Sequence, residues 1–278
     1  MTAVNELLDI LNLEALDLDL YRGQTPDDDR HRRIYGGQVV AQALAAAYRT
    51  IEGRHCHSMH AYFIRPGDPK IPILFQVDRA RDGGSFAVRR VVAIQHGKQI
   101  FNLAASFQTP ETGFEHQLQM PQPPPAEGLA NEEELRAKAG LDPNSRRVWP
   151  VEVRPCDPPP PGFKGKLPPI DMCWFRARQS LGADVAANQC ALAYGSDMTL
   201  LDPSLRPHGV DWESGRLQVA SLDHALWFHH PSDFSQWHLY VQDSPSASGG
   251  RGFNRGSIFS QDGRLVASAA QEALIRYR

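Results

Sequence analysis

Two kinds of hydrophobic pattern follow one another along this chain. The segment YGGQVVAQALAAAYRTI places Val40, Ala43, Leu44, Ala47 and Ile51 at helical spacing. Ala41, Ala45 and Ala46 make the opposite face nearly as apolar, and a helix apolar all round is a buried one. Strand signals come next: SMHAYFI at 58–64, IPILFQV at 71–77, SFAVRRVVAI at 85–94 and QIFNLAASF at 99–107. Ile71, Ile73, Phe75 and Val77 alternate with period two, and the turn QHGK separates the third and fourth strands. Before the buried helix, a short amphipathic helix is predicted over 6–20 and a solvated charged turn, DDDRHRR, over 27–33.

The same order returns later. MCWFRAR at 172–178 reads as a strand, ADVAANQCALAYGSDMTLL as a helical segment, and strands are predicted at 217–229, 237–242, 252–260 and 264–277. Gly83-Gly84 falls on Gly249-Gly250, and Gln95-His96-Gly97-Lys98 on Gln261-Asp262-Gly263-Arg264, both 166 positions apart. HAYFIRP, ending at Pro66, falls on ALWFHHP, ending at Pro231, 165 positions apart. A register held this closely points to a duplicated unit. One buried helix followed by an antiparallel meander implies a sheet curled around the helix, the hotdog arrangement. The expected fold is therefore α+β, a double hotdog of two antiparallel sheets each wrapped around a central helix, joined or packed side by side.

Between the halves, PQPPPAEG at 121–128 and CDPPPPGFKGKLPP at 156–169 hold the chain extended and remove backbone donors. NEEELRAKAG between them can form a short charged helix. The expected organisation is an N-terminal hotdog domain over 1–120, a proline-rich linker over 121–169 and a C-terminal hotdog domain over 170–278.

Composition narrows the function. Lys and Arg total 29 against 32 Asp and Glu, and a net charge of −3 gives no overall field for nucleic acid or anionic membrane. The start, MTAVNELLDILNLEAL, lacks the basic segment and cleavage site of a signal peptide, and no long uncharged apolar run follows. Cys56, Cys156, Cys173 and Cys190 form no C-x-x-C pair or metal-ligand spacing and read as reduced thiols. The C-terminal RYR is not a peroxisomal address, so the expected setting is cytoplasmic. G-x-S-x-G, G-x-G-x-x-G, Walker and H-E-x-x-H motifs are all absent.

The segments YGGQVVAQAL, HSMHAYFIRPGDPKIPI, VDRARDGGSFAVRRVVAIQHGKQIF, ASFQTPETGFEHQ, ASLDHALWFHHP and SASGGRGFNRGSIFSQDGRLVASAAQE resemble the acyl-CoA thioesterase II family over nearly the whole chain outside the proline-rich connection. The resemblance implies hydrolysis of acyl-CoA to fatty acid and coenzyme A by a double-hotdog enzyme with no metal or cofactor. It also implies a catalytic Asp, hydroxyl and Gln that position and activate water: Asp197 in GSDMTL, Ser221 in ASLDH and Gln271 in AAQEAL. Ser221 stands where many relatives carry Thr, which keeps the hydrogen bond and loses the methyl that fixes the rotamer.

The chemistry suits these residue types. A coenzyme A thiol has a pKa of about 8–9, so it leaves as thiolate with little acid assistance and water attack is the hard step. Asp197 can take the water's proton while Ser221 and Gln271 hold the water in line. Backbone N–H groups at Gly36-Gly37, opening the buried helix, are candidate oxyanion donors. His57 and His60 flank a strand and are read first as structural hydrogen-bonders, with His60 kept as a candidate at the substrate. Arg65, Arg89, Arg90 and Lys98 could meet coenzyme A phosphates or only solvate outer strand faces. Two rivals remain. One is a hotdog hydratase or dehydratase using Asp202 and His208, disfavoured by two intervening prolines; the other is an acyl-CoA-binding protein without turnover. Open sheet edges make a homodimer or homotetramer the expected assembly.

Overall fold

A computed structural model of the chain describes residues 6–26, 33–141, 149–160, 163, 165–210 and 215–278. The first half runs α1 (Glu6–Leu11), β1 (Glu14–Asp17), β2 (Leu20–Gly23), α2 (Gly36–Tyr48), β3 (His55–Phe63), β4 (Ile73–Asp82), β5 (Phe86–Gln95) and β6 (Lys98–Gln108). The second runs α3 (Glu132–Lys138), β7 (Val151–Pro155), β8 (Ile170–Ala177), α4 (Val185–Ser196), β9 (Leu217–Ser221), β10 (Asp223–Phe228), β11 (His238–Ser248), β12 (Arg251–Ser260) and β13 (Leu265–Tyr277). The helix expected over 6–20 stops at Leu11. The chain turns back at Leu18-Asp19, with Asp19 at φ 56°, and folds this segment into the β1–β2 hairpin, whose Arg22 pairs Glu14 across the strands. Of the charged turn expected over 27–33, all but Arg33 lies outside the described residues.

The strands form one antiparallel sheet in the order β1-β2-β4-β5-β6-β3-β10-β13-β12-β11-β8-β7, with β9 paired to the far end of β13. Read from either edge to the centre the order is the same, and the two half-sheets join where β3 pairs β10, Tyr62 opposite Asp223 and Ser58 opposite Trp227. The two hotdog sheets are thus joined edge to edge. The repeat extends to irregularities. A bulge between Asp78 and Arg81 recurs between Asp243 and Ser246, and one between Ala93 and Ile94 recurs between Ile258 and Phe259. Matching bulges bend both halves alike, as expected of one architecture used twice.

Both central helices are buried within the curl of the sheet and pack on each other. The strand expected over 217–229 is two strands, because Leu222 leaves the ladder between β9 and β10. The proline-rich connection is more ordered than its composition announces. β7 lies within it and pairs β8 of the second half, Asn131 and Glu134 form a reciprocal capping box on α3, and the Trp174 indole N–H donates to the Pro124 carbonyl at 2.8 Å. The extended stretch before it is tied to the second half by Gln117, which bonds the Gly263 carbonyl and the Leu265 N–H. No helix among the described residues is long and apolar enough to cross a membrane.

Candidate active site

The C-terminus of α4 and the N-terminus of α2 meet at the centre of the molecule, and Asp197 caps the former where it faces the latter. Two contacts fix that junction. The Tyr35 hydroxyl donates to the Tyr194 carbonyl at 2.9 Å, and the two helices come so close that a Cβ on Gly37 would lie 2.4 Å from that same oxygen. A Cβ on Gly36 would lie 2.6 Å from Asp197 Oδ2, so this glycine is required by the carboxylate. The Gly37 N–H bonds the Asp197 carboxylate. Gly37 is therefore committed to the acid, and of the expected oxyanion pair Gly36 alone lines the cleft.

Three strands bring the other groups to Asp197. Ser221, the last residue of β9, donates to Asp197 Oδ1 at 3.2 Å, and Gln271 of β13 donates from Nε2 to Ser221 Oγ at 3.3 Å. Behind them lies His224 of β10, fully buried, with Nδ1 2.6 Å from Gln271 Oε1 and Nε2 2.9 Å from Ser196 Oγ. Burial raises the Asp197 pKa above the ordinary carboxylate value, opposed by the charge of His224 and by the Ser221, Gly37 and Gln271 hydrogen bonds. A helix C-terminus is also an unfavourable place for a negative charge. The cluster thus holds a buried carboxylate made a stronger base than a free one.

Asp197, Ser221 and Gln271 sit together in the wall of a cleft of about 620 Å³. Most of its remaining lining is apolar, including Phe63, Phe101, Trp149, Met198 and Leu201, while Arg33 and Arg65 add two cations. Arg65 holds its guanidinium against the Gln99 carbonyl at 2.6 Å. The remaining candidates fall elsewhere. Arg89 is 2% exposed and spent on the fold, bonding Thr50, the Arg81 carbonyl and the Asp82 carboxylate, because its place in β5 points to the buried face. Arg90, one residue on, points to the outer face. His60 is exposed and packs edge-on against Trp227, and His57 bonds Ser106 Oγ at 2.8 Å. Lys98 stands exposed at the start of β6. Asp202 and His208 lie on successive 3-10 turns, and neither lines the cleft.

The comparisons with known proteins converge. A family model described as acyl-CoA thioesterase matches residues 144–274, and one described as acyl-CoA thioesterase N-terminal domain matches residues 25–108. Acyl-coenzyme A thioesterase 8 of Homo sapiens is 42% identical, the match covering 97% of this chain and 88% of that protein. Acyl-CoA thioesterase 2 of Haemophilus influenzae is 41% identical over 99% of this chain and 98% of that protein. The chain belongs to the acyl-CoA thioesterase II family. A solved acyl-CoA thioesterase II from Mycobacterium marinum superimposes with a TM-score of 0.81 at 42% identity, covering 98% of each chain.

Within this acyl-CoA thioesterase II chain, sequence reasoning missed His224 and Tyr35. Both stood inside quoted motifs, ASLDHALWFHHP and YGGQVVAQAL, but no pattern says which polar residue of a strand turns inward. The internal symmetry supplies that signal. Ser221 pairs Ala273 as Cys56 pairs Phe107, and Ala225 pairs Ala270 as His60 pairs Ala104, so Ser221 matches Cys56, His224 matches Met59 and Gln271 matches Ala105. Asp197 matches Arg49, each capping its helix C-terminus. All four polar residues of the cluster occupy positions that the other half fills differently.

Proposed function

We propose that this chain hydrolyses acyl-CoA to a free carboxylic acid and coenzyme A, with Asp197, Ser221 and Gln271 as its catalytic set. The observation that carries this reading is the buried, hydrogen-bonded Asp197–Ser221–Gln271 cluster in the wall of an apolar cleft. The cleft's aromatic and aliphatic lining suits an acyl chain, and Arg33 and Arg65 suit the anionic end of the thioester. Water, held by Ser221 and Gln271, attacks the thioester carbonyl carbon as Asp197 takes its proton. The Gly36 N–H is the candidate donor to the oxyanion. Collapse of the tetrahedral adduct breaks the C–S bond, and the thiolate leaves and is protonated by solvent or by Asp197.

The rival hydratase reading needs Asp202 and His208 at the substrate, and neither reaches the cleft. The binding-protein reading leaves unexplained a carboxylate buried at a helix C-terminus, which is a costly arrangement for a cleft that only binds. Assembly as a homodimer or homotetramer and a cytoplasmic setting belong to the same proposal. For the first, the outer face of the β3–β10 seam exposes Tyr62 and Trp227 side by side with His60; for the second, Cys56, Cys173 and Cys190 are buried free thiols. Free-thiol release from a panel of acyl-CoAs of increasing chain length tests the reaction. Hydrolysis by the unaltered protein with near-complete loss in Asp197→Asn is expected; absence of thiol release from every acyl-CoA would overturn it.

A further inference from the structure

His224 is a fully buried titratable group that the hydrolytic scheme leaves without a task. It is fully buried, and both ring nitrogens are engaged: Nδ1 with Gln271 Oε1 at 2.6 Å, Nε2 with Ser196 Oγ at 2.9 Å. Its counterpart in the other half is Met59, equally buried, so this strand position is one that the fold fills with an apolar side chain. Placing an imidazole there costs desolvation that packing does not require. The Gln271 counterpart is likewise the apolar Ala105. The imidazole and the amide it bonds thus occur together in the half that carries Asp197.

We infer that His224 is a positioning residue for the hydrolysis proposed above, fixing which end of the Gln271 amide faces Ser221. An amide has a donor end and an acceptor end, and only one orientation serves the site. Gln271 Oε1 can only accept, so His224 Nδ1 carries the proton it shares with it. That bond turns the Gln271 NH₂ toward Ser221 Oγ. Ser221, accepting there, gives its single proton to Asp197 Oδ1. The chain of donors therefore runs in one direction, from imidazole to carboxylate. Were the amide reversed, its oxygen would take the Ser221 proton, leaving Asp197 without its hydroxyl donor and the water without an N–H to hold it. The Ser196 hydroxyl completes the device, since it lies 2.9 Å from Nε2 and 3.0 Å from the Ala193 carbonyl and can donate to either. When it donates to Nε2, the imidazole is held in the tautomer that carries its proton on Nδ1, the form this orientation of Gln271 requires.

The test is a set of substitutions read by steady-state thiol release. His224→Phe keeps the ring and removes both nitrogens. Its kcat is expected to fall on the order of 100-fold, with KM changed much less, because the acyl cleft is untouched and only the alignment of the water is lost. His224→Asn retains an N–H near the Nδ1 position and is expected to recover part of the lost kcat, whereas His224→Gln, whose amide lies nearer Nε2, is not. On a Gln271→Ala background, His224→Phe is expected to cost nothing further, since the group it orients is gone. A merely structural role would give losses that multiply, and multiplying losses would overturn the proposal, as would a near-normal kcat in His224→Phe. If the Phe variant does not fold, His224→Gln against His224→Asn decides the same point. Should Asp197→Asn and Gln271→Ala both retain full activity, hydrolysis stands but the catalytic set on which this inference rests is misassigned. Should they lose activity while His224→Phe keeps it, only the role of His224 has failed.

Discussion

The two halves of the molecule each present a cleft, and the internal symmetry relates one to the other. Phe63, Ile64, Arg65 and Pro66 border the first; Phe228, His229, His230 and Pro231, their counterparts, border a second of about 710 Å³. The bordering segments correspond, but the rest of the lining differs, mostly apolar in the first cleft and rich in polar groups such as His57, Glu111, Glu115 and His116 in the second. Where α4 ends in Asp197, α2 ends in Arg49, whose positive charge suits a helix C-terminus. Where the first cleft opens a chain of donors onto a carboxylate, the second closes its polar groups on one another: the Tyr48 hydroxyl donates to Gln189 Oε1 and accepts from the Cys56 N–H, and Gln189 Nε2 donates to the Cys56 carbonyl. Tyr48 and Cys56 are both pushed to higher pKa by burial and stay neutral. Even the helix starts differ, Gly36-Gly37 in α2 against Val185-Ala186 in α4, because the first is pressed against the end of the other helix and its acid, whereas the second is capped locally by Asp184. The half that hydrolyses acyl-CoA in this reading is the half that accepts electrostatic cost.

Exchanging matched residues is the most direct way to break this comparison. Asp197→Asn removes the base and is expected to lower kcat on the order of 1,000-fold, within the range of a general base. Its counterpart substitution, Arg49→Ala, is expected to leave thiol release unchanged. A comparable loss from both would mean that the second cleft takes part. Gly36→Ala comes next, because its Cβ must displace the Asp197 carboxylate 2.6 Å away. A loss on the order of 100-fold is expected, against none for Val185→Ala at the start of α4. Full activity in Gly36→Ala would show that the carboxylate can move without consequence.

How far the sequence reached depends on the kind of signal. The repeat, the buried α2 and the four strands after it were legible because strand and helix periods are properties of single segments; their order was not, since only β4, β5 and β6 form a meander and β3 pairs β6 instead of β4. The helix drawn through 6–20 failed because α1 stops at Leu11 and the chain reverses at Leu18-Asp19, a turn that the apolar pattern does not mark. Asp197, Ser221 and Gln271 came from motif resemblance, and the structure brings all three together. Arg89 and His60 could not be assigned in advance, since one residue of register decides whether a strand side chain faces the core, the cleft or the outside. His224 was hidden for the same reason: its neighbours in the network lie on β13 and α4, far away in sequence.

Ser221 sharpens the comparison at smaller amplitude. Its hydroxyl is one of several donors to Asp197, and Cys56 in the matching place donates weakly from a buried Sγ to the Ser58 carbonyl. Ser221→Ala removes one charge-assisted hydrogen bond, and a loss of about 10-fold in kcat is expected. Ser221→Thr restores the donor and should recover activity relative to the alanine variant. Thiol-release kinetics on all three proteins decides it, and equal rates for the alanine and threonine variants would remove the hydroxyl from the mechanism.

The smallest expected effect is on stability, and it tests the claimed cost. Burial raises the pKa of Asp197 in the folded chain above its unfolded value. The folded state therefore binds the proton more tightly, and the stability this group confers is complete below the unfolded pKa and lost as pH rises through the folded one. At neutral pH the ionised acid is a liability, so Asp197→Asn is expected to raise Tm relative to the unaltered protein. That advantage should shrink as the buffer is taken down into the acid range, where the native carboxyl is already protonated. The same titration sets the acid limb of the kcat/KM profile, which is expected above the ordinary carboxylate range. Arg49→Ala, which removes a cation from the end of α2, should shift Tm downward instead. Thermal unfolding of the two variants across pH would show opposite signs at matched positions, and a lower Tm for Asp197→Asn at neutral pH would remove the electrostatic cost from this account.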